Sequence, residues 1–136
     1  MMEASIQSGA ARYRQASRQA MAARETEIAA FRAINRALDS ADSEEARIRA
    51  LGRNHDLWSM LVKDIGLGEN KLPEALKNNL LALGLWAMNY STLAILHKLS
   101  PDPLIGVNRN IAEGLSMQMA DTAMPQNGAK TAPATA

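Results

Sequence analysis

The sequence predicts an all-α protein: a small bundle of about four helices around a long, mostly buried third helix, followed by a disordered C-terminal tail. Three observations predict it. Hydrophobic residues make up 47% of the 136 positions while aromatic residues make up only 4%, so alanine, leucine and methionine, all good helix formers, carry the apolar content. No segment alternates apolar and polar residues over a strand's length. The stretch from Asn78 to His97 is free of charge and too long for a strand.

Residues 1–9 read as a flexible arm, 10–119 as one helical domain and 120–136 as the tail. The size suits a single core. The first helix should run from Ala10 to Leu38, with Tyr13, Ala16, Ala20, Ile28, Phe31, Ile34 and Leu38 as its apolar stripe. Arg12, Arg14, Arg18, Arg24, Arg32 and Arg36 make it the basic part of the chain. Asp42, with Glu45 three residues on, fits the start of a capping box. The second helix then places Ile48, Leu51, Trp58, Leu61, Val62 and Ile65 on one side, and Gly66 can take the left-handed conformation that ends it.

The third helix runs from Pro73 to Leu99. Pro73 suits a first turn, where its missing N–H has no intrahelical partner, and Glu74 complements the helix dipole. A helix apolar almost all round is expected in a core. Asp102 and Pro103 start the fourth helix, which uses Leu104, Val107, Ile111 and Leu115, while Asn108 reads as a buried amide fixing helix register. The expected core is Trp58, Leu61, Leu76, Leu80, Leu83, Trp86, Ile111 and Leu115. Lys77, Gly84, Ser91 and Lys98 recur every seven residues as the least apolar seam of the third helix. With Leu81 and Met88 they form the expected partner-binding surface, Gly84 permitting close backbone approach.

Composition narrows the chemistry. Fifteen Lys and Arg against fourteen Asp and Glu leave a net charge of +1, which argues neither for nor against a nucleic-acid partner. With no cysteine there are no disulfides or thiolate metal sites, which is compatible with a reducing cytoplasm. His55 and His97 lie on different helices with no ligand cluster, and neither a phosphate-binding glycine loop nor a Ser/His/Asp signature occurs. No enzyme, cofactor or metal is expected. The N-terminus has Glu3 and no apolar signal region. Asn78–His97 is long enough to cross a membrane, but Asn78, Asn79, Asn89, Ser91, Thr92 and His97 interrupt it. A core helix explains the same residues, so a soluble, cytoplasmic protein without a membrane span is expected. Arg14 with Arg18, and Arg32 with Arg36, stack at four-residue spacing. No aromatic platform is interleaved with them, so a solvated face is favoured over an RNA stripe.

Leu57-Trp58 followed by Leu61 and Asp64, then Leu72-Pro73, Leu76, Asn79-Leu80, Gly84-Leu85-Trp86, Val107-Asn108-Arg109 and Gly114-Leu115, resemble the flagellar biosynthesis regulator FlaF family. The resemblance spans Ala10 to Leu115. It implies a small helical cytoplasmic protein that associates with flagellin and works with a second regulator, FlbT, which restrains flagellin synthesis. The alternative is a post-transcriptional RNA binder that uses the first helix. Flagellin termini are amphipathic helical segments, so a leucine- and methionine-rich surface could shelter one, with Met60, Met88, Met117 and Met119 as adaptable contacts.

Overall fold

The computed structural model describes residues 2–68 and 72–123. Four helices follow one another: α1 (Met2–Ser40), α2 (Glu44–Gly66), α3 (Glu74–His97) and α4 (Asp102–Ala123), with no strand among the described residues. The chain divides into two units, residues 30–111 and residues 1–29 with 112–136.

Helix α1 begins at Met2, so residues 2–9 are helical rather than a loose arm. No proline occurs there, and Gly9 alone costs only about 1 kcal/mol of helix propensity. Helix α4 likewise continues through Ala123, past the expected start of the tail; residues 124–136 lie outside the described residues. The predicted stripe of α1 divides: Ile28, Phe31, Ile34 and Leu38 are buried, whereas Ala16 and Ala20 are exposed and Tyr13 is 75% exposed. Alanines remove too little area from water to hold a helix face down.

The caps differ from expectation by one or two residues. Ser43, not Asp42, starts α2; its Oγ accepts the Ala46 N–H at 3.0 Å. Leu67 caps the other end in right-handed geometry, and the left-handed glycine is Gly68 (φ 76°), not Gly66. Helix α3 ends on Lys98, which is left-handed (φ 55°). Ahead of α4, Ser100 Oγ accepts the Asp102 N–H at 3.1 Å, and the Pro101 carbonyl accepts from Leu104 and Ile105.

In the unit of residues 30–111, Phe31, Leu51, Trp58, Leu80 and Leu104 are fully buried, and Phe31 meets Trp58 edge-on at 5.2 Å between ring centres. Among them lies a polar network to which all four helices contribute. Asn108 Nδ2 donates to Asn54 Oδ1 at 2.6 Å and to Asn35 Oδ1 at 3.0 Å, while Asn108 Oδ1 accepts from Trp58 Nε1. Asn54 Nδ2 donates to Ser91 Oγ, which donates to the Ala87 carbonyl; Asn35 Nδ2 donates to the Ile105 carbonyl. Among the described residues no buried side-chain nitrogen or oxygen lacks a partner. Asn108 is fully buried and joins three helices, the placement expected of a register-setting amide.

Candidate functional site

Helix α3 is not buried on most of its circumference. Its buried residues, Leu80, Gly84, Ala87, Ser91 and Ala94, form one narrow stripe. A Cβ at Gly84 would collide with Val62 Cγ2 and stand 3.2 Å from Trp58 Cε3, so α2 and α3 approach closely where α3 is smallest. The small residues are therefore the inner face. Close approach lets Trp58 and Leu80 fill the remaining space, while Leu85, Trp86 and Leu96 are turned outward.

This geometry corrects the expected contact surface. Gly84 and Ser91 face the protein's own core and are not available to a partner. Lys77, Leu81 and Met88 flank that stripe half-buried, and Lys98, exposed beyond the helix end, lies 3.9 Å from Glu44. Of the expected core residues, Trp58, Leu61, Leu80 and Leu115 are buried, and Leu76, Leu83 and Ile111 are half-buried. Trp86 is a correction: it is 37% exposed and stacks on Tyr90, ring centres 5.3 Å apart. It points away from the glycine stripe that meets α2.

The outer face of α3 is the candidate site. Leu85 is 63% exposed, Leu96 67%, and Leu99 follows the helix partly exposed. Ala82, Asn89 and Thr92 lie exposed on the same face, and no charged residue occurs from Asn78 to His97. Helix α3 is also the one described helix long and apolar enough to cross a membrane by length and composition. Sequence reasoning missed this face because apolar residues occur all round the helix. The available signal was the small-residue seam, which marks the side of close packing.

Arg47 holds the C-terminal end of α3. Its Nη2 donates to the Ala94 carbonyl and its Nη1 to the Leu99 carbonyl, each at 3.0 Å, while its Nε donates to Glu44 Oε1 at 2.7 Å. Tyr90 Oη donates to the Ser100 carbonyl at 2.7 Å. The turn bearing Leu96 and Leu99 is thus fixed by groups from α2 and α3.

An open cleft of about 190 Å³ lies between α1 and α2, floored by alanines, with the exposed Arg49 and Arg53 beside it. Arg49 is paired with Glu45, and the Ser40 hydroxyl donates to the Arg36 carbonyl. Among the described residues no three His, Asp or Glu side chains gather as a metal site would require. Arg12, Arg14 and Arg18 are exposed on α1, and Arg24 pairs with Glu27 at 2.9 Å.

The family model for the flagellar protein FlaF matches residues 9–115. The chain belongs to the FlaF family. Membership gives it a role in flagellar biogenesis, and the matched segment holds the whole polar network and the exposed face of α3. No curated protein and no solved structure matches the chain.

Proposed function

We propose that this FlaF-family protein is a non-enzymatic, chaperone-like factor that binds flagellin in the cytoplasm and supports its synthesis and secretion, working with an FlbT-like regulator. One observation carries the reading: a flagellar-family protein holds Leu85, Trp86 and Leu96 exposed on a stretch, Asn78 to His97, that carries no charged residue. An amphipathic helical terminus of flagellin would lay its apolar face along this strip, with apolar anchors at helical spacing giving the affinity. Asn89 and Thr92 would give polar contacts between the leucines. The experiment is co-expression with flagellin followed by affinity capture. Capture should be lost in the double variant Leu85→Glu/Leu96→Glu and kept in Glu45→Ala, an exposed change elsewhere. Failure of the unaltered chain to retain flagellin, with or without an FlbT-like protein present, would overturn the proposal.

The second reading, an RNA binder, draws on the exposed Arg12, Arg14 and Arg18 of α1. It requires phosphate contacts, whose affinity falls steeply as salt rises.

A further inference from the structure

The outer strip of α3 has a feature of its own. Its exposed residues Ala82, Leu85, Asn89, Thr92 and Leu96 are spaced by three, four, three and four, the spacing at which two helices interlock side by side. Laid antiparallel on a second copy, Leu85 meets Leu96 of that copy and Asn89 meets Thr92. Each contact repeats across the two-fold axis, so apolar residues meet apolar ones and amide meets hydroxyl throughout. No charge from Asn78 to His97 opposes self-contact, and the antiparallel arrangement sets the two helix dipoles against each other. Leu81, Met88 and Ile95 on one edge and Trp86 and Leu93 on the other add no charge either.

We infer that the protein pairs with a second copy of itself through this strip, as an antiparallel α3–α3 dimer. From Ala82 to Leu96 the strip is about 21 Å long at 1.5 Å per residue. One helix edge of that length falls short of the roughly 800 Å² per partner of a stable interface. The dimer is therefore weak and depends on concentration, and it covers the apolar strip until another partner displaces the second copy. The inference stands on the strip alone and holds whatever that partner is.

The test uses the full chain by itself. In sedimentation or light scattering over a dilution series, the mass should rise from monomer towards dimer with concentration. Leu85→Glu/Leu96→Glu should weaken pairing by about tenfold or more, because it replaces both apolar contacts that flank the two-fold axis with facing carboxylates, which repel each other. Its thermal melt should stay unchanged, since both side chains are largely exposed. The chain has no cysteine, so Asn89→Cys and Thr92→Cys report register cleanly. Mixed and oxidised, the two should cross-link to each other. Asn89→Cys cross-linking to itself in preference would indicate a parallel pair and overturn the arrangement. A mass that stays monomeric at every concentration would overturn the dimer. Flotation of such a monomer with phosphatidylcholine vesicles would assign the strip to lipid instead.

Discussion

The Trp58 indole donates its Nε1–H to Asn108 Oδ1 at 2.8 Å, and both side chains are completely buried. This bond ties α2 to α4 through a residue whose remaining hydrogens are committed to Asn35 and Asn54. A buried network of this kind has one satisfied arrangement, because any helix slip leaves amides without partners.

The first prediction is the cost of breaking it. Asn108→Leu strands Trp58 Nε1, Asn35 Oδ1 and Asn54 Oδ1, each at about 1–3 kcal/mol, so the total loss should exceed about 3 kcal/mol. Trp58→Phe strands only Asn108 Oδ1 at the network, although it also removes apolar volume. Urea titrations of the two variants, with unchanged slopes, should show whether loss follows the number of stranded groups. A loss below about 1 kcal/mol for Asn108→Leu would mean that water enters and satisfies the site.

The second prediction concerns the contact between α2 and α3. Gly84→Leu should destabilise by about 1–3 kcal/mol through overpacking, despite a gain in helix propensity of up to about 1 kcal/mol. The obstructing atom is Val62 Cγ2, so Gly84→Ala/Val62→Ala should recover much of what Gly84→Ala loses. Chemical denaturation of the single and double variants gives the coupling directly. Additive effects would show that Val62 is not the obstacle.

Much of this fold is legible in the residues. Pro73, Asp102-Pro103 and the polar stretch before Glu44 place the helix starts to within a residue or two, because capping chemistry is local. Which way α3 faces is not local. Leucines occur on every side of it, and hydrophobicity alone would bury them all. The deciding fact is that Gly84, Ala87, Ser91 and Ala94 let α2 come close, and packing at short range outweighs burying Leu85 or Leu96. Seen this way, the seven-residue recurrence of Gly84 and Ser91 marks the packed side. The leucines on the opposite side of the helix then become the candidate surface. The role of Arg47 was likewise invisible, since its carbonyl partners lie 47 and 52 residues further along the chain.

That arginine gives the third prediction. Only 17% of its side chain is exposed, and its fork donates to two carbonyls at the end of α3. Arg47→Met should cost about 1.5–3 kcal/mol, the range for hydrogen bonds to charged groups. Arg47→Lys should restore only part of this, because an ammonium cannot present a rigid fork to two acceptors. Hydrogen exchange should quicken at the Lys98 and Leu99 amides, which donate to Ala94 O. Unchanged exchange there would place the cost of the substitution somewhere other than the end of α3.

The fourth prediction separates the two functional readings by their dependence on salt. A flagellin segment held on the outer face of α3 rests on an uncharged surface, so its affinity should change little between low and moderate salt. Leu85→Glu/Leu96→Glu should abolish that binding while leaving any RNA binding alone. An RNA held by the arginines of α1 releases counterions at every phosphate contact, and the logarithm of its affinity falls by about 0.7 per contact for each tenfold rise in salt. Replacing Arg14 and Arg18 together by glutamine should then flatten the slope without touching flagellin capture. Titrating both ligands against all three proteins at several salt concentrations gives the answer in one matrix. Flagellin capture that survives the glutamates but fails with the glutamines would move the contact from α3 to α1. A steep RNA slope together with no flagellin capture would make the RNA reading the better one.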